Sequence, residues 1–140
     1  MPRFVLDNSL TMAWYFEDEA TPFADEVLDS LTLDSEAVVP PLWALEVTNV
    51  LLVGERRGRS TTMEEQEFLE LLQRLPIATV DTARRRILNE VLMIARQQRL
   101  SSYDASYLDL AQREGLPLAT LDNRLRDAAR RVGVVLLDER

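Results

Sequence analysis

The chain of 140 residues contains no histidine, no lysine and no cysteine. Each absence closes off a class of chemistry. Without cysteine there are no disulfides and no thiolate metal sites. Without histidine neither a Ser-His-Asp nor a Cys-His hydrolase can be assembled, nor can an HExxH zinc site. All sixteen basic residues are arginine. The four glycines, at 54, 58, 115 and 133, make neither a P-loop nor a dinucleotide fingerprint. No run approaches the ~18 apolar residues of a membrane helix. The opening Met-Pro-Arg-Phe-Val-Leu-Asp has too short an apolar run for a signal peptide. A cytoplasmic protein is the plain reading. Acid–base or metal chemistry is left to Asp, Glu, Tyr and water.

What is present fits one domain over residues 1–140. The apolar fraction of 46% is enough for a real core. The net charge of −8 is unevenly spread: residues 1–50 hold ten acids and one base, residues 51–140 fourteen acids and fifteen bases. Such a chain does not attract nucleic acid in bulk, so a phosphodiester substrate calls for a bound cation. The arginines at 56, 57, 59, 84, 85, 86, 124, 126, 130 and 131 are candidates for a local basic rim. Solvated helix faces are the simpler account of any one cluster.

The pattern alternates strand and helix. Arg3 to Leu6 reads as a short buried strand ending at Asp7, with Asn8 or Ser9 capping a helix to about Phe16. Thr21-Pro22 opens a helix to about Leu33. Ala37 to Val39 is a second strand, and Pro40-Pro41 leads into a helix from Leu42 to Arg57 that Gly58 closes. Thr62 and Glu65 form a capping box for a helix to about Leu75. Ile77 to Val80 is a third strand, and Asp81 or Thr82 caps the next helix. Ser101 or Ser102 caps another, ended by Gly115 and Pro117. Leu118 to Thr120 is a fourth strand, Asn123 to Arg131 a helix, and Val132 to Leu137 a fifth strand. This predicts an α/β sandwich with a mainly parallel sheet.

In such sheets ligands bind beyond the carboxyl ends of the strands. Asp7 and Asp122 lie there, while Glu46 and Asp104 fall in the first turns of helices. First-turn acids also favour the helix dipole without any function, and for Asp104 that account is as good as a catalytic one. Glu46 is harder to explain so, because Leu42, Trp43, Leu45, Val47, Val50 and Leu51 surround it in sequence. A buried, unpaired carboxylate is costly. Two carboxylates 4 Å apart repel by ~4 kcal/mol at an effective dielectric of 20, so four converging acids either hold protons or bind a cation. Oxygen ligands alone select Mg²⁺ or Mn²⁺, the ions of metal-assisted phosphodiester hydrolysis. Met12, Trp14, Tyr15 and Phe16 crowd one short helix, and either pack on Trp43 and the core or sit at an interface.

Asp7-Asn8-Ser9, Glu46-Val47-Thr48-Asn49-Val50-Leu51, Tyr103-Asp104-Ala105-Ser106-Tyr107-Leu108 and Thr120-Leu121-Asp122, in this order, resemble the PIN-domain nucleases. Length and order resemble the VapC toxins of toxin–antitoxin pairs. The resemblance covers essentially the whole chain and rests on the ordered set, each triplet being common by itself. It implies a three-layer α/β/α sandwich around a five-stranded mainly parallel sheet, and an endoribonuclease dependent on Mg²⁺ or Mn²⁺. It implies Asp7, Glu46, Asp104 and Asp122 as metal ligands or positioners of the attacking water, with Ser9, Asn49 and Thr120 orienting the acids or the phosphate. Where some members carry one more acid, this chain has Asn123, which removes a fifth ligand. The resemblance further implies a homodimer, an RNA substrate and a small VapB-type antitoxin as partner.

Other classes fit less well. Phospho-acceptor domains and phosphatases lean on a lysine that this chain lacks, and the phosphatases show Asp-x-Asp where it reads Asp7-Asn8-Ser9. A PIN-like scaffold that binds RNA or protein without chemistry, and a housekeeping ribonuclease without an antitoxin, are the remaining alternatives.

Overall fold

The computed structural model describes residues 2–137. Its strands are β1 (Arg3–Leu6), β2 (Glu36–Val39), β3 (Ile77–Thr79) and β4 (Leu118–Ala119). They form a parallel sheet in the order β3-β2-β1-β4. Its helices are α1 (Asn8–Ala13), α2 (Pro22–Leu33), α3 (Leu42–Arg56), α4 (Thr62–Arg74), α5 (Arg84–Arg86), α6 (Leu92–Gln98), α7 (Ser102–Glu114) and α8 (Asn123–Val132). A π-helical turn at Ile87–Val91 joins α5 to α6 in one helical run.

Alternation along the strands explains the three layers. Phe4, Leu6, Ala37, Val39 and Ala119 face one way and meet Leu10 and Ala13 of α1 and Ala24, Val27 and Leu31 of α2. Val5, Val38 and Leu118 face the other way and meet α7 and α8 through Tyr107, Leu108, Leu110, Leu125 and Ala128. A third cluster joins Met12 and Phe16 to Val47 and Leu51 of α3 and Phe68 and Leu72 of α4. The expected α/β/α sandwich is therefore present.

The fifth strand predicted over Val132 to Leu137 is not formed among the described residues. Val132 belongs to α8, Gly133 takes the left-handed conformation that ends the helix (φ 80°), and only Leu136 bridges to Leu118. Its partner β4 is two residues long, so the pairing stops at hydrogen bonds from Leu118 N to Val135 O and from Leu137 N to Leu118 O.

Three caps also differ. The cap of α1 is Asp7 itself, whose side chain accepts from Leu10 N at 3.0 Å. That helix ends at Ala13 rather than Phe16. The capping box is Thr61 with Glu64, one residue early, because Glu65 instead accepts from Ser60 Oγ. Asp81 and Thr82 do not cap α5. Asp81 O and Thr82 Oγ1 both accept from Arg113, and the helix starts at Arg84.

The four aromatic and sulfur side chains after β1 pack inward. Met12 and Phe16 are buried, Trp14 donates to Ala24 O at 2.8 Å, and the Tyr15 hydroxyl meets Ser60. Gly54 leaves room for the Phe16 ring, since a Cβ there would come within 3.2 Å of it.

Candidate active site

The sheet order puts β1 and β4 side by side although most of the chain separates them. After β1 the chain winds to β2 and β3 on one side, and then crosses to β4 on the other. That reversal opens a crevice at the carboxyl ends of β1 and β4, where open α/β sheets bind ligands. Asp7 leaves β1 into it, and Thr120 and Asp122 follow β4.

Asp7 is 3% exposed. Its carboxylate accepts from the Ser9 hydroxyl at 2.8 and 2.9 Å, from Leu10 N at 3.0 Å and from the Thr120 hydroxyl at 2.5 Å. Each hydroxyl has one proton to give, and both go to Asp7. As acceptors, Ser9 Oγ takes Leu121 N at 3.0 Å and Thr120 Oγ1 takes Asp122 N at 3.0 Å. Ser9 and Thr120 thus lock the turn after β1 to the turn after β4. Asp122 is also the cap of α8, with Oδ1 accepting from Leu125 N at 3.0 Å.

Glu46 stands in the second turn of α3 and is half-buried. Its Oε1 accepts from the Tyr107 hydroxyl at 2.5 Å. The all-apolar surroundings read from its neighbours are only partly realised. α3 turns Val47, Leu51 and Gly54 inward, while Leu45 and Leu52 are 74% and 46% exposed. Asp104 lies in the first turn of α7, whose cap Ser101 accepts from Asp104 N at 3.1 Å.

Electrostatics joins the four acids. Burial pushes the Asp7 carboxyl up to about 7, and the charge of Asp104 adds to the rise against the pull of the Thr120, Leu10 and Ser9 hydrogen bonds. Burial raises Glu46, the Tyr107 hydrogen bond opposes it, and Asp104 again raises it. Burial raises Asp104 as well, with the charge of Asp122 next, while Ser101 and Arg124 pull the other way. The charge of Asp104 therefore interacts with each of the other three acids.

Of the residues predicted from sequence, Asp7, Ser9, Thr120 and Asp122 form one hydrogen-bonded network, and Glu46 and Asp104 couple to it through charge. Asn49 does not join it. It is exposed on α3, one turn beyond Glu46, and its side chain makes no hydrogen bond among the described residues. Tyr107 is the residue that sequence reasoning missed. Its signal was the spacing Asp104-x-x-Tyr107, which puts acid and tyrosine on one face of α7.

Among the described residues no three carboxylates stand close enough to form a ready-made ligand set. The donor chemistry still suits a hard cation. Mg²⁺ keeps several waters and is held through one or two carboxylates, so no closed cage is required. Mutually repelling acids, without lysine or histidine nearby, carry the negative charge such an ion offsets. Asn8 Oδ1, next to Asp7 in the chain, is a further buried oxygen without a hydrogen-bond partner among the described residues.

Known proteins agree with this architecture. The sequence profile of the PIN domain family matches residues 4–131. Ribonuclease VapC3 of Pyrobaculum aerophilum is 29% identical over 125 residues, covering 89% of this chain and 93% of that protein. A crystal structure of a protein from Pyrobaculum aerophilum superposes with a TM-score of 0.72 at 22% identity, over 98% of this chain and 85% of the other. A toxin–antitoxin complex from Klebsiella pneumoniae gives a TM-score of 0.56 at 17% identity, with 94% and 95% covered. At these identities the two solved structures speak for the fold alone.

Proposed function

This chain belongs to the PIN domain family, and on that footing we propose that it is an endoribonuclease dependent on Mg²⁺ or Mn²⁺. We place it in the cytoplasm as the toxin of a toxin–antitoxin pair. The observation that carries the reading is the coupled set Asp7, Glu46, Asp104 and Asp122 around the β1–β4 crevice, with Asp7 held near neutrality by burial and by Asp104.

In this reading the four carboxylates hold the cation and place the attacking water. A bound divalent ion offsets phosphate charge and acidifies its water. The chain's own part is orientation. Ser9 and Thr120 fix both oxygens of Asp7. Tyr107 is raised well above the usual tyrosine range by burial and by Glu46, so it stays protonated and serves as a donor that aims Glu46. Asn49 lies exposed one turn from Glu46, where it meets substrate rather than the acids.

The toxin role is supported by the kinship with a ribonuclease named VapC3. A small VapB-type antitoxin is then the expected partner. A homodimer is supported by apolar side chains left exposed along the π turn and α6, namely Ile87, Leu88, Leu92 and Met93.

The test uses antitoxin-free protein and labelled cellular RNA. Cuts that need Mg²⁺ or Mn²⁺ and stop with a chelator are expected. RNA left intact in every metal, with no metal-induced rise in melting temperature, would move the assignment to a non-catalytic scaffold.

A further inference from the structure

Beside the acid cluster lies an open cleft of about 350 Å³ lined by Gln98, Arg99, Arg124, Asp127 and Arg131. We infer that this cleft seats the phosphodiester backbone of the RNA strand flanking the scissile bond. The inference rests on the nuclease reading above and adds to it where the substrate runs.

Two elements build the cleft. Arg124, Asp127 and Arg131 recur at i, i+3 and i+7 on α8, which is one stripe of a helix. Gln98 and Arg99 come from the end of α6, and Arg131 Nε donates to Gln98 Oε1 at 2.8 Å, which ties the two walls together. Arg99 ends α6 in the left-handed conformation, with φ 56° and ψ 44°. Among the described residues it is the only non-glycine with positive φ; α7 and α8 end in the same conformation on Gly115 and Gly133. A side chain thus stands at a turn where glycine fits more easily, and it carries a cation into the cleft.

The charge is positive and available. Neither Arg99 nor Arg124 makes a hydrogen bond or ion pair among the described residues. The one acid in the cleft, Asp127, is offset by Arg130 at 3.2 Å. This concentration of cations sits on a chain of net charge −8, which does not attract nucleic acid in bulk. Position supplies the link to the chemistry. Arg124 is two residues past Asp122, and its charge is felt by Asp104, so the Arg124 end of the cleft adjoins the acid cluster. Arg124 and Arg131 are roughly 10 Å apart along the helix axis, from seven residues at 1.5 Å each. They therefore reach separate phosphates of one strand. An acidic peptide would also be drawn to three arginines, but adjacency to the acid cluster favours the strand that is cut.

The experiment measures binding of a labelled mixed-sequence RNA oligonucleotide to the full chain over a range of salt, with chelator present so that nothing is cut. Arg99→Gln with Arg131→Gln is the main variant, chosen to leave Arg124 and its influence on Asp104 intact. Arg56→Gln with Arg57→Gln, outside the cleft, is the control. The main variant is expected to bind at least 10-fold more weakly, with the slope of log K against log salt smaller by about 0.7 per lost phosphate contact. Lysine at both positions should restore most of the slope, because a point charge suffices for it. The Mn²⁺-induced rise in melting temperature should not change. Equal affinity and slope in variant and parent, in a chain that cleaves RNA, would overturn the cleft and leave the nuclease reading standing. Arginine-dependent RNA binding by a chain that cuts nothing would support the cleft and remove the nuclease reading. Loss of a partner protein's binding with RNA affinity intact would assign the cleft to that partner and overturn the proposal.

Discussion

The Tyr107 hydroxyl donates to Glu46 Oε1 at 2.5 Å, so the helix that carries Asp104 also holds the acid of α3. Two of the four carboxylates are thereby positioned by one rigid, buried element. Tyr107→Phe keeps the ring in its core site and removes only this hold. Mn²⁺ affinity measured by calorimetry should fall about 10-fold, as for other residues that orient metal ligands. Stability should drop by about 1.5–3 kcal/mol, the worth of a hydrogen bond to a charged group. Unchanged Mn²⁺ affinity would mean that Glu46 needs no such hold.

Asp7 ties stability to pH in a direction that can be worked out. Its folded-state pKa of about 7 lies above the ordinary value of 3.8. The stabilisation tied to its bound proton is full below about pH 4 and is lost as pH rises through about 7. A shift of this size is worth on the order of 4 kcal/mol. In chelator, the non-titrating Asp7→Asn should therefore melt higher than the parent at about pH 8, with the gap closing toward about pH 5. Saturating Mn²⁺ should reverse the order at about pH 8, because only the parent binds it. A variant no more stable than the parent at high pH would show that Asp7 is not strained by its burial.

Thr120→Val tests the bridge between β1 and β4. Valine keeps the shape but loses the bond to Asp7 Oδ2 and the acceptor for Asp122 N. Losing a hydrogen bond that lowers the Asp7 pKa lets it climb further. The rising limb of cleavage against pH should shift upward by about one unit, and chemical denaturation should show a loss of about 1–3 kcal/mol. An unmoved pH profile would separate Thr120 from the chemistry.

Asp109 is a buried acid of a different kind. It is fully buried on α7, two residues after Tyr107, and pairs with Arg86 Nη2 at 2.7 Å and Arg86 Nε at 2.9 Å. Asp109→Ala leaves Arg86 without its partner and should cost about 3–5 kcal/mol in a urea melt. The Mn²⁺ affinity of the folded fraction should stay within about 2-fold of the parent, measured against the ~10-fold loss usual for residues that support a metal site. A large loss of metal affinity would bring Asp109 into the site.

Much of this was legible in the sequence because the signals were local. Thr21-Pro22, Ser101 and Gly115 fix helix ends through their own backbone chemistry, and Phe4 to Leu6 and Ala37 to Val39 are continuous apolar runs of buried parallel strands. Asp7 and Asp122 were found because they follow strands. The misses depended on distant partners. Val132 to Leu137 has strand composition, but its pairing is limited by the two-residue β4. Thr82 resembles a helix cap until Arg113 claims it from 31 residues away. Tyr107 looks like any core aromatic until α3 brings Glu46 to its hydroxyl. Arg99 carries no mark in the sequence of its left-handed backbone.

The central claim is that four acids act as one cation site that cuts RNA. It is tested most directly by measuring Mn²⁺ binding and RNA cleavage in the same samples for the parent and for Asp104→Asn, the acid whose charge interacts with each of the other three. The account predicts that the parent binds Mn²⁺ and cleaves, and that the variant keeps its fold but loses both together. Cleavage that persists in folded Asp104→Asn, or Mn²⁺ binding that is unchanged by it, would contradict the account.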